Sequence, residues 1–471
     1  MDFRQTTVEA LVEDIDGRRM SALELTQAAI ANIEALNPKL NAFCAVDFDS
    51  AIQQANAIDA RLQQGDPVGP LAGIPIGVKD LEDARGFVTT FGSALHTQDE
   101  LAQEDSVLVG LLREAGCVIL GKTNTPEFGF KGVTDNRPFG ASCNPWDPDY
   151  SSGGSSGGSS AALASGMIPL ATGSDGGGSI RIPSAVCGFT GIKTSQGRVP
   201  LGGKSAPGSG LLTVKGPMAL RVRDVAYALD VAVREDPTDV FGLPRPAQSW
   251  RDELNQDNKP KRVVWSPTMG FAKVDKEVLQ RCEEAISSLR RAGVEVVVRD
   301  TIWDEDPIEP WFRFWSAARA RAQGDLLGTP EWDLIDEDLR RQIEHGIVNV
   351  SGVDYANALD ACHYLNGKLV EAFRDGDFIV TPTACGQTPK INSAYGTING
   401  KQTRGWVGFT YGINMTRNPA GTVCVGKTNL GLPIGLQVVG NQRDDLGVLK
   451  TLCFLEDLFE QPHNADVGVV S

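Results

Sequence analysis

Histidine is scarce in this 471-residue chain: four occur, His96, His345, His363 and His463, and none lies in a recognisable motif. A serine that relies on imidazole as its base therefore has no evident partner. The nine cysteines are an odd number, scattered, with no C-x-x-C pair, which argues against a disulfide framework or a structural metal and suits reduced thiols in a cytoplasm. No run approaches the ~18 apolar residues of a membrane helix. The opening MDFRQTTVEALVED is acidic where a secretory leader needs a basic flank and an apolar core. Basic residues are outnumbered 44 to 60, giving a formal net charge of −16, and such a surface repels phosphate backbones and anionic lipid. The expectation is a soluble, cytoplasmic protein with no nucleic acid and no membrane among its partners.

What is present is a globular composition, 41% hydrophobic and 22% charged, able to bury a large core. Ser21 and Glu24 form an S-x-x-E capping box, and Leu23, Thr26, Ile30 and Ile33 recur at helical spacing until Pro38, where the helix is expected to stop. In LAGIPIGVKD the alternation of Ile74, Ile76 and Val78 marks a strand ending at Lys79. Helical periodicity near Ser106 to Ala115, an apolar CVIL strand, a Gly/Ser tract running into AALASGM, and a second glycine turn at Gly173 to Gly178 follow in order. This alternation predicts an α/β fold with helices on both sheet faces. No low-complexity linker separates two halves, so residues 1–471 read as a single domain.

Two motif matches mislead. Gly116 to Thr123, GCVILGKT, fits the phosphate-loop expression, yet an apolar strand lies between its glycines, and Pro126 follows where a long helix is needed. Gly153 to Gly157, GGSSG, fits a nucleophile elbow, but the upstream NPWDPDYSS is no apolar strand.

SSGGSSGGSS alone would read as a flexible linker. It runs directly into an Ala-rich helix, however, placing Ser155 near a helix N-terminus, and Ser179 of the second glycine turn, GSDGGGSIRIP, lies 24 residues after Ser155. Two backbone-permissive turns that each present a serine look like one site. Gly176, Gly177 and Gly178 can aim successive N–H groups into one concavity ahead of Ser179, the form an oxyanion hole requires. Asp175 and Arg181 flank the turn, either as a rigidifying bidentate pair or as an ordinary surface ion pair. With no usable histidine the natural base is a neutral lysine, which burial would have to create. Lys79, ending an apolar strand, is favoured over Lys122 and Lys193.

At these residues the chain resembles the amidase signature family. The hallmark is GGSSGGSSAALASGMIPLATGSDGGGSIRIPSAVCGFTGIK, Gly153 to Lys193, with further matches at GIPIGVKD, GKTNTPEF and GLPIGLQVVG. The resemblance implies a mixed central sheet of about eleven strands sandwiched between helices, with a signature core over about 73–200 and a variable, substrate-selecting region over about 300–420. It implies Lys79 as base, Ser155 as a relay serine preceded by a cis peptide, and Ser179 as nucleophile and acyl carrier. It further implies an oxyanion hole of Gly176, Gly177, Gly178 and the Ser179 amide, with Ser156, Asp175 and Arg181 supporting the site. No metal and no cofactor are implied. The chain departs from the family's usual pattern at Ser152, where proline is common, and at Gly176, an added glycine expected to loosen the oxyanion turn.

The implied activity is hydrolysis of a small-molecule amide by a free-standing amidase, monomeric or homodimeric, with esters, anilides and carbamates as related substrates. The alternative is the amidase subunit of a tRNA-dependent amidotransferase, from which LGGKSAPGSGLLTVKGP after the signature differs. Four of the eight tryptophans, Trp303, Trp311, Trp315 and Trp332, fall in one stretch. They read either as a core helix, given the i, i+4 spacing of Trp311 and Trp315, or as an aromatic wall over a pocket for an aryl or apolar group.

Overall fold

The computed structural model describes residues 1–203, 212–460 and 465; His463 and residues 204–211 of the LGGKSAPGSGLLTVKGP stretch lie outside them. The first capping box forms as its residues dictate, with Ser21 Oγ accepting from the Glu24 amide and the Glu24 carboxylate accepting from the Ser21 amide. The helix it starts, Ala22–Leu40, runs through Pro38 instead of stopping there. Proline in the last turn removes one backbone donor, and Asn41, in the left-handed conformation, closes the helix just beyond it.

Eleven strands make up the two main sheets among the described residues, together with two short hairpins. In chain order they are β1 (Phe43–Val46), β2 (Pro75–Lys79), β3 (Val118–Thr123), β4 (Leu170–Asp175), β5 (Gly191–Lys193), β6 (Val214–Met218), β7 (Arg262–Trp265), β8 (Glu295–Val298), β9 (Phe378–Pro382), β10 (Ala420–Lys427) and β11 (Pro433–Val439). They fall into a five-stranded sheet, β1-β3-β2-β4-β6, and a six-stranded sheet, β8-β7-β9-β11-β10-β5. The eleven strands expected are thus present, in two ladders, with none joining three-residue β5 to its neighbour β6 among the described residues. Both sheets are mixed, with β2 parallel to β3 and to β4 and with β6 antiparallel to β4. Helices flank them, so the fold is α/β.

Strands β2, β3 and β4 are buried along their whole length, apolar where they begin and polar where they end. Their carboxyl ends carry Lys79, Thr123 and Asp175 side by side, the end of a parallel array where ligands are commonly bound. The phosphate-loop match is β3 itself, and its Lys122 is buried in an ion pair with Asp80 at 2.9 Å, so that lysine is not free for a nucleotide.

The Gly/Ser tract becomes helix α1 (Gly157–Ala164), every residue of which is buried. Small side chains permit this close packing. A β-carbon on Gly158 would lie 2.3 Å from the Asn124 nitrogen and 2.4 Å from the Ala42 oxygen, contacts with backbone that cannot swing aside. Gly158→Ala should therefore lower stability in urea denaturation by about 1–3 kcal/mol, as overpacked core sites do; a change within about 0.5 kcal/mol would show that the tract is not held this tightly.

Candidate active site

Three backbone segments converge at the carboxyl end of β2. Lys79 terminates that strand, Ser155 and Ser156 precede α1, and Ser174 and Asp175 terminate β4. The Gly154–Ser155 peptide is cis. The Lys79 side chain is wholly buried, and its Nζ meets Ser155 Oγ at 2.8 Å, Ser156 Oγ at 2.9 Å and Ser174 Oγ at 2.9 Å. No carboxylate lies within ion-pair distance of it among the described residues. Burial pushes the Lys79 amine down to about 7, against the opposing pull of Glu82 and Asp175. Ser174 was not anticipated as a contributor; its position just before Asp175, at the end of a strand parallel to β2, is the signal that could have revealed it.

Lys122 and Lys193, the other candidate bases, are differently placed. Lys122 is held by Asp80 and also donates to Thr89 Oγ1 at 3.0 Å. Lys193 is likewise pushed down to about 7 by burial, reinforced by Arg181, but its Nζ donates to the Thr194 carbonyl at 3.0 Å and contacts neither serine turn.

The flanking acid–base pair is no surface ion pair, because Asp175 and Arg181 are both fully buried. Arg181 Nε and Nη2 donate to the two Asp175 oxygens at 2.9 Å each. Nη1 donates to Gln437 Oε1 at 2.7 Å and Nη2 also to Asn414 Oδ1 at 2.6 Å. Burial alone would raise the Asp175 carboxyl, yet Arg181, Lys193 and Asn414 hold it well below the usual carboxylate range. Asp175 further accepts from the amides of Gly178 at 2.7 Å and Ile180 at 3.2 Å, capping the short helix α2 (Arg181–Cys187). Gln437, Asn414 and Thr410 come from distant segments, and the sequence held no sign of their roles.

The Gly178 amide is thus engaged by Asp175, whereas the amides of Gly176, Gly177 and Ser179 have no acceptor among the described residues. The turn is not loosened by Gly176. Trp311 Nε1 donates to the Gly176 carbonyl at 3.1 Å, and Thr410 Oγ1 donates to that of Gly177 at 2.6 Å. A β-carbon on Gly176 would lie 2.7 Å from Thr213 Oγ1 and 2.9 Å from the Trp315 ring; the glycine makes room for the indole.

Ser179 lines two cavities, one of about 730 Å³ bordered by Trp311, Phe312, Trp315, Trp406 and Tyr411, the other of about 380 Å³ shared with Ser155. Trp311 and Trp315, on helix α3 (Ile308–Gln323), stack with ring centroids 5.2 Å apart, while Trp303 is buried core. Both sequence readings of the tryptophan-rich stretch are therefore realised, by different residues. No hydrogen bond joins the hydroxyls of Ser155 and Ser179, although the Ser156 amide donates to the Ser179 carbonyl at 3.2 Å. His96 and His345 each border a cavity, but His96 pairs with Asp99 at 2.8 Å and His345 contacts Asn349 at 3.3 Å, and neither hydrogen-bonds a serine.

The chain matches the amidase family over residues 24–449. It is 35% identical over 458 residues to an acylamidase of Rhodococcus erythropolis, covering 95% of this chain and 94% of that one. It is 34% identical over 474 residues to one subunit of the glutamyl-tRNA(Gln) amidotransferase of Roseiflexus castenholzii, covering 95% and 94%. The crystal structure of a bacterial aryl acylamidase of the amidase signature family superposes with a TM-score of 0.92 at 28% identity, covering 99% of both chains.

Arg181→Ala would leave the Asp175 carboxylate buried without its partner, and urea denaturation should show a loss of about 3–5 kcal/mol. A loss below about 1 kcal/mol, as for an exposed pair, would contradict the buried-clamp description.

Proposed function

Because the chain belongs to the amidase family and hydrolyses the C–N bond of amides, we propose that Ser179 is its nucleophile, Ser155 its proton relay and Lys79 its base. The observation that carries this reading is the buried Lys79 amine, 2.8 Å from Ser155 Oγ, lacking a carboxylate partner and held near 7. A neutral amine has two hydrogens and one lone pair, so one of its three hydroxyl neighbours must donate to it. Ser155, on the cavity side, is that donor.

In the proposed cycle Ser155 gives its proton to Lys79 and takes one from Ser179 as the Ser179 oxygen attacks the carbonyl carbon. The hydrogen bond between the two serines forms in the reacting complex, since catalytic contacts commonly tighten only there. The amides of Gly176, Gly177 and Ser179 receive the developing oxyanion, while the Gly178 amide stays on Asp175 and fixes the turn. Asp175, Arg181 and Ser156 position the site. Ser155 then protonates the departing nitrogen, and Lys79 returns its proton to Ser155. Water, activated by the same relay, hydrolyses the ester on Ser179 and frees the acid. Losing one oxyanion donor costs on the order of 3 kcal/mol, so a well-ordered turn supplies a large part of the acceleration.

The tryptophan-lined cavity supports a substrate with an apolar or aryl group, with anilides, esters and carbamates among the related classes. The stretch after the signature, unlike that of the amidotransferase subunits, favours a free-standing amidase over one working within an amidotransferase. The whole chain is read as one amidase domain, cytoplasmic, and monomeric or homodimeric.

Ser179→Ala should abolish both anilide turnover and labelling by a fluorophosphonate; persistent labelling on another serine would overturn the nucleophile assignment. Because the base must be neutral, kcat/KM should fall about tenfold per pH unit below about pH 7. Lys193→Met should leave that limb in place, and a limb that disappears with Lys193 would transfer the titration to it.

A further inference from the structure

The turn that carries Ser179 divides two unlike cavities, and Ser155 borders only the smaller. On the relay reading above, on which this inference rests, Ser155 protonates the departing nitrogen. The amine portion of the substrate then lies in the smaller cavity and the acyl portion in the larger. Phe91 and Phe128, stacked with centroids 5.9 Å apart, give the smaller cavity apolar walls.

One charge in that cavity has no contacting ion-pair partner. Lys215 is paired with Glu82 at 3.1 Å and His96 with Asp99 at 2.8 Å. Arg319 also borders the cavity, yet no carboxylate lies within 4 Å of its guanidinium among the described residues. Its Nη2 donates to the Phe128 carbonyl at 2.8 Å, its guanidinium stands 4.8 Å from the Trp315 ring centroid, and its Nε is buried without a partner. Burial lowers Arg319 to about 10, which leaves it cationic at neutral pH. Glu127 acts on the Arg319 guanidinium only from beyond ion-pair distance, so a partly desolvated guanidinium gains from a carboxylate that a ligand brings into contact with it.

We propose that Arg319 is a substrate-recognition residue that pairs with a carboxylate on the amine portion of the substrate. The preferred class is then amides of amino acids or aminobenzoates, not unsubstituted anilides.

The test compares 4-acetamidobenzoate with its neutral isostere 4-acetamidobenzamide on the purified enzyme. Wild type should favour the carboxylate by about tenfold or more in kcat/KM, mainly through KM, as a charge-assisted hydrogen bond allows. Arg319→Ala should erase that preference while holding the carboxamide within about threefold; Arg319→Lys should keep part of it. N-phenylsuccinamate, whose carboxylate sits on the acyl side, should respond to Arg319→Ala no more than the carboxamide does. Equal wild-type rates on the two isosteres, with Ser179 still labelled by fluorophosphonate, would overturn this inference and leave the triad standing. Parallel loss on both isosteres in Arg319→Ala would also overturn it, reducing Arg319 to a support for the Phe128 carbonyl. Turnover without Ser179 labelling would instead strike the relay reading beneath it.

Discussion

The desolvation of one amine is the constraint on which the rest of the site depends. Lysine in water is almost entirely cationic at neutral pH and useless as a base. In this chain Lys79 stands at the end of a fully buried strand, and its neighbours are three hydroxyls. Hydroxyls satisfy the hydrogen-bonding needs of an amine without adding the negative charge that would hold its proton. The carboxylate next in sequence, Asp80, could have undone this arrangement. It is instead paired with Lys122 from the adjacent parallel strand, so of two nearby lysines one is held by a carboxylate and the other is left among hydroxyls.

The second buried charge follows the reverse logic. Asp175 is kept ionised by a bidentate arginine and two backbone amides, and it is rigid because each group around it is itself held. Arg181 reaches Gln437 on β11 and Asn414 on a short helix, and Asn414 returns to the Asp175 carbonyl at 2.8 Å. This network spans both sheets and meets at the turn before Ser179, so the backbone amides of that turn are held in place. Trp311 extends the same control outward by binding the Gly176 carbonyl. A wall of the larger cavity and a strut of the glycine turn are thus one side chain.

Much of this was legible in the sequence because it rests on local pattern. Strand β2, the helix after the Gly/Ser tract, and the serine turns follow from periodicity and from glycine placement. The resemblance to amidase signature proteins then singled out Lys79 among three lysines. Where the reading failed, the cause was long-range. Continuation of the first helix through Pro38 depends on how little one lost donor matters in a final turn. Gly176 read as looseness because the indole that fills its missing side chain is more than a hundred residues away. Ser174 and Gln437 lie within stretches that match the family but were given no role there, Asn414 lies in none, and only the packed sheets bring them to the site. The tryptophan stretch could not be divided into core and cavity until the rotation of α3 was known.

The account stands or falls on the protonation state of Lys79 in the free enzyme. Its side-chain carbon resonance can be followed across pH by NMR in protein labelled at lysine, with the signal assigned by its loss in Lys79→Met. The account predicts a titration midpoint near 7. A resonance that stays at the ammonium position to about pH 10, as for an exposed lysine, would contradict it.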